Sequence, residues 1–197
     1  MKQALLIIDF INEIVDEKGK LAGKGYAAFI EKSDTFEKVN LVIEEFRKKG
    51  LPLVFVNLAF DQAYSNQPKG SPLFGRAHEF GILQRGTWST QVHAAVDRRE
   101  DDLIMVKTRV SAFYNTGLTQ VLHNLGVTDL FIIGVATDLA VEASARDAHD
   151  RDFKVTVITD ACAAANEDDH KNSLRTLSKI AALVNVAELN LHGNTPL

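Results

Sequence analysis

One stretch decides the fold: Ile132-Ile133-Gly134-Val135-Ala136-Thr137-Asp138-Leu139-Ala140-Val141-Glu142-Ala143-Ser144-Ala145-Arg146-Asp147-Ala148. It begins as the end of an apolar strand, turns through Gly134 and continues as a helix. We expect Thr137 or Asp138 to cap that helix, because either side-chain oxygen can accept a hydrogen bond from a first-turn amide. The tight turn would leave other backbone N–H groups pointing outward, where they can hold an anion or a developing oxyanion.

Outward from this stretch, apolar runs of strand length alternate with helical patterns. The patterns predict strands at residues 3–9, 51–58, 102–107, 130–133, 154–159 and 184–189. Helices are predicted from about residue 34 to the stop at Gly50, at 118–125 after a cap at Asn115 or Thr116, and from a cap at Asn166 to about Ala181. The order predicts an α/β fold, a doubly wound three-layer sandwich with a six-stranded, mainly parallel sheet.

Length and composition restrict the class of protein. The chain has 197 residues, 46% of them hydrophobic, which suits a single domain over residues 1–197. A net charge of −4 argues against nucleic acid or an acidic membrane surface as the main partner. One cysteine, Cys162, and no recognisable leader or apolar run of spanning length indicate a cytoplasmic protein.

Polar residues end three of the predicted strands. Asp9 follows the first strand, Lys107 ends the third, and the turn from Val135 to Ala140 follows the fourth. In a doubly wound sheet, ligands bind beyond the carboxyl ends of the strands where strand order reverses, so these groups are expected to share one crevice. The alternative is that Asp9 caps the following segment and Lys107 points to water.

Four motifs in this order resemble the isochorismatase-like hydrolases, also called the cysteine hydrolase superfamily. They are Leu6-Ile7-Ile8-Asp9, Lys107-Thr108-Arg109-Val110-Ser111-Ala112-Phe113, the stretch from Gly134 to Ala148, and Asp160-Ala161-Cys162-Ala163. The resemblance implies a six-stranded parallel sheet and an Asp-Lys-Cys site with the aspartate as general base. It also implies a cis peptide bond at Val135-Ala136 that shapes an oxyanion hole.

The chain departs from that family at the nucleophile. Asp9 and Lys107 match the first two members of the triad, but Ala140 stands where the cysteine is expected. A methyl group cannot attack a carbonyl carbon, so a covalent route through position 140 is closed. Cys162 lies among alanines with no adjacent base and is interpreted as a structural thiol, and Ser144 is expected to face packing.

A different chemistry needs no thiol. Isochorismatases proper, which this chain resembles here, keep the aspartate and lysine, have glycine at the cysteine position and cleave a vinyl ether after protonating its enol carbon. The resemblance therefore implies Asp9 as general acid, with Lys107 orienting substrate or tuning Asp9. The turn residues Val135, Ala136 and Leu139 are the expected contacts to substrate.

Further substrate contacts are predicted outside the turn, at Gln62, Arg76, Trp88 and Phe113. Gln62 would replace a glutamine that grips substrate in isochorismatases, and Arg76 would bind a carboxylate unless it is merely solvated. No Asp-x-His-x-x-His motif follows the second strand, and the six histidines show no i,i+3 or i,i+4 spacing, so neither a metal nor another cofactor is predicted.

Two other functions stay open. One is a cysteine amidohydrolase, nicotinamidase-like or ureide-hydrolase-like, whose nucleophile is replaced at Ala140; the other is a catalytically silent binding or scaffold protein. The family resemblance also implies a homo-oligomer, a dimer or a tetramer. Apolar residues of the loop at 60–86 and just beyond it would suit an interface or a crevice wall: Leu73, Phe74, Phe80, Ile82, Leu83 and Trp88.

Overall fold

A six-stranded sheet forms the centre of the computed structural model, which describes residues 2–191. Its strands are β1 Lys2–Ile8, β2 Leu53–Leu58, β3 Leu103–Lys107, β4 Val127–Val135, β5 Lys154–Ala163 and β6 Ala182–Val184. They lie in the order β3-β2-β1-β4-β5-β6, and every neighbouring pair is parallel. The predicted fold class, with its mainly parallel sheet, is confirmed.

Helices cover both sides of this sheet. They are α1 Asn12–Val15, α2 Tyr26–Lys32, α3 Thr35–Lys48, α4 Ala77–Phe80, α5 Leu118–Asn124, α6 Glu142–His149 and α7 Glu167–Leu177. On one side, Phe46 of α3 packs edge-on against Phe131 of β4, with ring centroids 5.4 Å apart. Residues 4–8 of β1 are all buried, which accounts for their continuous hydrophobicity. No helix in residues 2–191 is long and apolar enough to cross a membrane.

The strand order reverses between β1 and β4. From β1 the chain adds β2 and β3 on one side, and from β4 it adds β5 and β6 on the other. Gly134 of β4 lies so close to β1 that an added Cβ would be 2.8 Å from both the Cβ and the carbonyl oxygen of Ile8. Asp9 and the turn after Val135 therefore emerge side by side at the switch point, where ligands of such folds bind.

Several predicted strand bounds are wrong. β4 begins at Val127 and continues to Val135, and β5 runs past the predicted end at Thr159 to Ala163. After a register shift, Gly134 pairs with Cys162 and Val135 with Ala163. Gly134, which was predicted to begin the turn, therefore belongs to a strand. β6 is Ala182–Val184, and the predicted end of that strand holds the 3₁₀ turn Val186–Glu188. The terminal residues 192–197 lie outside the described residues.

The helix caps are partly as predicted. Asn166 caps α7, because its side chain accepts a hydrogen bond from the amide of Asp169 at 2.9 Å, although α7 ends at Leu177 and not near Ala181. The predicted cap at Thr137 or Asp138 is wrong. A π-helical turn, Thr137–Val141, begins at Thr137 itself, and neither side chain bonds a free amide of the turn that follows. Before α5, the hydroxyl of Thr116 accepts from the amide of Leu118 at 3.3 Å.

Candidate active site

Asp9 links β1 to β2 through both its main chain and its side chain. Its amide donates to the carbonyl oxygen of Val56 at 3.1 Å, and its Oδ1 accepts from the amide of Leu58 at 2.7 Å. The backbone of Asp9 has a φ of 58°, a left-handed conformation that ends the strand. The side chain is buried, so the carboxyl group is fixed at the carboxyl end of the sheet.

Lys107, the last residue of β3, brings its ammonium group to Asp9. Its Nζ lies 2.7 Å from Oδ2 of Asp9 and donates to the carbonyl oxygens of Arg109 at 3.1 Å and Val110 at 3.0 Å. The residue is 1% exposed, so the alternative in which Lys107 points to water is wrong. Three acceptors match the three donors of an ammonium group, which holds Lys107 in one orientation.

The pKa of Asp9 is raised above its usual value. Burial is the largest cause, because removal from water disfavours the carboxylate. The charge of Lys107, its hydrogen bond and the amide of Leu58 act in the opposite direction and offset part of that effect. The result is a buried carboxyl group that holds its proton to higher pH than a solvated aspartate.

The turn after β4 forms the opposite wall. The Val135-Ala136 peptide bond is cis, as the sequence motif implied. Ala140 is 4% exposed, and its methyl group stands where the family nucleophile was expected. The amides of Leu139 and Val141 both donate to the carbonyl oxygen of Ala136, at 3.2 and 3.1 Å. Those two amides are therefore not free to hold an anion, so the prediction that the turn leaves its N–H groups open does not hold for them.

These groups surround a cavity with about 490 Å³ of empty space, including its open mouth. Four side chains bring polar groups to its lining, namely Asp9, Lys24, Tyr26 and Lys107. The apolar lining residues are Ile14, Leu21, Leu58, Leu73, Phe74, Val110, Val135, Ala136, Leu139 and Ala140.

The sequence did not reveal the part of this wall contributed by Lys24 and Tyr26. Lys24 is the last residue of the 3₁₀ turn Ala22–Lys24, and Tyr26 begins α2 after Gly25, whose φ is 115°. The glycines on either side of Lys24 indicated only a loop. An aromatic and apolar spacing over Tyr26, Phe29 and Ile30 was the one available signal for α2.

Four predicted substrate contacts lie away from this cavity. Gln62 is exposed, and only its backbone carbonyl is engaged, by the side chain of Gln84. Arg76 pairs with Glu79 at 2.8 Å on the surface, so the solvated interpretation of this residue holds. Trp88 is 44% exposed in the 3₁₀ turn Trp88–Thr90. Phe113 is buried in packing against Phe153, with ring centroids 6.2 Å apart.

The other candidate nucleophiles are packed into the interior. Sγ of Cys162 lies 3.3 Å from the carbonyl oxygen of Ile158, and burial raises the pKa of the thiol to about 12. Ser144 is fully buried, and its hydroxyl accepts from the amide of Ala112 at 2.9 Å. Both residues are structural, as the sequence indicated. Within residues 2–191, no cluster of three His, Cys, Asp or Glu side chains is placed to hold a metal ion.

An acid–base pair at the switch point of a doubly wound parallel sheet, facing a small apolar cavity, defines an α/β protein that binds a small molecule. The model of the isochorismatase domain matches residues 3–188. The chain therefore belongs to the isochorismatase family.

Individual relatives agree with this membership. A probable inactive nicotinamidase of Arabidopsis thaliana is 33% identical and aligns with 90% of this chain and 88% of its own. A ureidoacrylate amidohydrolase of Rhizobium rhizogenes is 25% identical over 80% of this chain and 69% of its own. An isochorismatase-like hydrolase from Alkaliphilus metalliredigens superposes with a TM-score of 0.81 at 26% identity, covering 95% of this chain and 97% of that one.

Proposed function

We propose that this member of the isochorismatase family hydrolyses a small molecule through Asp9 and Lys107, without a thiol nucleophile. One observation carries the proposal: a buried carboxyl group of raised pKa and the methyl group of Ala140 line the same cavity. Such a carboxyl group is suited to donate a proton, whereas a methyl group has no lone pair with which to attack. No cofactor takes part in the proposed reaction.

Hydrolysis of a vinyl ether fits these groups. Asp9 gives its proton to the terminal enol carbon, which forms a C–H bond and leaves an oxocarbenium ion. Water then adds to the cationic carbon and returns a proton to Asp9. The resulting hemiketal breaks its carbon–oxygen bond, so that the products are a ketone and an alcohol. The only group that must change protonation is the carboxyl group, as expected of a general acid.

Lys107 is a positioning residue in this mechanism. Its ammonium group is held by Asp9 and by the carbonyl oxygens of Arg109 and Val110, so it fixes the carboxyl group and stabilises the carboxylate left after proton transfer. The apolar walls, including Val135, Ala136 and Leu139, would hold the body of the substrate. Lys24 and Tyr26 supply the other polar contacts within reach of the cavity.

An amidohydrolase with its nucleophile replaced at Ala140 is the second candidate. It is favoured by the ureidoacrylate amidohydrolase among the relatives, whereas the probable inactive nicotinamidase favours a silent protein. A third candidate, a silent binding protein, is disfavoured by the retained pair, because a silent cavity does not require a buried acid beside a buried ammonium group.

A turnover screen separates these candidates. Vinyl ethers, small amides and ureides are supplied to the unmodified chain, to Ala140→Cys, to Asp9→Asn and to Asp101→Asn, an exposed control of the same charge change. We expect the unmodified chain to cleave a vinyl ether and Asp9→Asn to lose roughly 10²–10⁴-fold in rate. Asp101→Asn should retain full activity. The rate should fall as pH rises through the raised pKa of Asp9, because only the protonated acid donates.

Amide or ureide turnover that appears only in Ala140→Cys would support the replaced-nucleophile candidate and refute the acid mechanism. The acid mechanism is also refuted if Asp9→Asn, folded by circular dichroism, retains vinyl-ether cleavage at the rate of Asp101→Asn.

A further inference from the structure

A second cavity lies on the opposite face of β2. Side chains alternate along a strand, so Leu58 lines the cavity with Asp9 while Asn57 points to the other side of the sheet. Asn57 pairs in register with Val106 of β3, and Ile104 lies two residues earlier on that same face. Together these residues form the floor of a cavity with about 1090 Å³ of empty space, including its open part.

The wall of this second cavity is positively charged. Arg85 and Arg98, both exposed, line it, whereas no aspartate or glutamate of the described residues does. Neither guanidinium group has an ion pair or hydrogen bond within residues 2–191. Of the carboxylates close to Arg98 in sequence, Asp97 and Asp102 pair with Arg47, at 3.5 and 2.8 Å. Neither Glu100 nor Asp101 lines the cavity. Two free guanidinium groups on a chain of net charge −4 thus converge on one concave surface.

Asn57 gives this cavity a polar group at its surface. The residue is 5% exposed, and its side-chain amide makes no hydrogen bond to any other described residue. Because Asn57 lines the cavity, a ligand there would meet its amide group.

We propose that this second cavity binds the oxyanion of a small molecule, a carboxylate or a phosphate, that also carries an apolar part. Arg85 and Arg98 match the paired oxygens of such a group, and the Asn57 amide donates a further hydrogen bond. Ile104 and Val106 provide the apolar floor. Because no acid–base pair or thiol lines the cavity, its role is binding and not chemistry. The site is separate from the cavity that contains Asp9.

Calorimetric titration of the full chain tests this site. The probes are phenyl phosphate and benzoate, with inorganic phosphate as the oxyanion alone and benzyl alcohol as the uncharged control. We expect phenyl phosphate or benzoate to bind and benzyl alcohol not to bind, and the tighter of the two identifies the oxyanion. Arg85→Gln and Arg98→Gln should each weaken binding by about tenfold. Asn57→Asp, nearly isosteric, should abolish it because a carboxylate then faces the anion.

Two control variants test whether binding is specific to the second cavity. Arg76→Gln removes the same charge from an exposed arginine outside the cavity and should leave the affinity unchanged. Asp9→Asn should also bind normally, so failure of the acid mechanism and failure of this site are distinguishable.

Equal losses in Arg76→Gln and Arg85→Gln would mean nonspecific attraction and overturn the proposal. So would the absence of heat with every oxyanion at millimolar concentration. Light scattering gives a third test. If a second copy of the chain covers this face, the mass in solution changes in the variant Arg85→Gln/Arg98→Gln and no probe binds, which also overturns the proposal.

Discussion

At the scale of single residues, the site depends on two charges that end apolar strands. The sequence placed Asp9 and Lys107 at the carboxyl ends of β1 and β3 and predicted a shared crevice. It could not give their 2.7 Å contact, because that distance depends on the sheet order, which places β2 between their two strands. The three acceptors around the ammonium group likewise include backbone carbonyls, Arg109 and Val110, whose direction no motif encodes.

Removal of one member of this pair should destabilise the chain more than removal of both. Lys107→Met leaves the carboxyl group of Asp9 buried and unpaired, at an expected cost of roughly 3–5 kcal/mol in free energy of unfolding. The double variant Asp9→Asn/Lys107→Met removes both charges and keeps an acceptor for the amide of Leu58, so it should recover most of that loss. Urea denaturation at neutral pH measures both.

Lys154→Met is the matched control. Lys154 lies 3.7 Å from Asp129, but its side chain is 69% exposed, so its loss should change the stability by less than about 1 kcal/mol. A double variant as unstable as Lys107→Met alone would contradict the expectation, since the pair would then contribute through packing and not through charge.

The substrate contacts were predicted less well than the acid–base pair. Of the residues named in the long loop, Leu73 and Phe74 line the cavity, whereas Arg76 is on the surface. Lys24 and Tyr26 line it from a segment for which no helix or strand was predicted. Loop paths lack the periodicity that locates strands and helices, so sequence could name candidates there but not their direction.

At the scale of elements, the backbones of β1 and β4 approach each other closely at Gly134. A Cβ on Gly134 would be 2.8 Å from two atoms of Ile8, both in the strand that carries Asp9. Gly134→Ala must therefore push the two strands apart, and overpacking of this kind costs about 1–3 kcal/mol in free energy of unfolding. Chemical denaturation measures the loss. We also expect lower activity, because the displacement occurs between the two walls of the proposed site.

Gly70→Ala provides the comparison. No atom lies within 4 Å of a Cβ built at Gly70, so this variant should be as stable as the unmodified chain. If both glycine variants are equally stable, the contact between β1 and β4 does not exclude a side chain.

The predicted strand bounds were wrong mainly where the strands contain small residues. Hydrophobic runs located β1, β2 and β3 to within two residues, since those runs are continuous, although only β1 and β2 are largely buried. β5 was ended too early because Asp160, Ala161 and Cys162 carry little apolar surface. Their assignment to a strand depends on pairing with Gly134 and Val135 of β4, which is long-range information that local sequence does not contain.

At the scale of the whole molecule, strands alternating with helices predicted the α/β class and the parallel sheet, which are confirmed. Composition supported a cytoplasmic protein with no nucleic-acid or membrane partner, and the family resemblance implied a small-molecule substrate. Those statements, like the single domain over residues 1–197, stay predictions. The location of the protein and its partners depend on its surroundings, about which the contacts within one chain carry no information.

Self-association is the prediction that belongs to this scale. Leu73, Phe80 and Trp88 expose 42–45% of their surface near one another in sequence, and we expect them to be covered in a dimer or a tetramer. Size-exclusion chromatography with light scattering should give a multiple of the 21.7 kDa chain mass. Phe80→Gln/Trp88→Gln should shift the mass toward a monomer.

Leu41→Gln tests whether any exposed apolar residue has this effect. Leu41 is 43% exposed but lies on α3, outside the loop, so its replacement should leave the mass unchanged. A single-chain mass for the unmodified protein would show that these side chains do not mediate assembly.

Side chains along β2 point alternately to the two faces of the sheet, and this limits how the sequence of the strand can change in evolution. Leu58 faces the acid–base pair and its amide bonds Asp9, while Asn57 faces the opposite cavity. Inserting or deleting one residue within the strand would exchange these faces, placing an amide where the walls are apolar and a leucine between two arginines. Descendants of this sequence can therefore vary β2 by substitution, but a change in its length would damage both cavities in a single event.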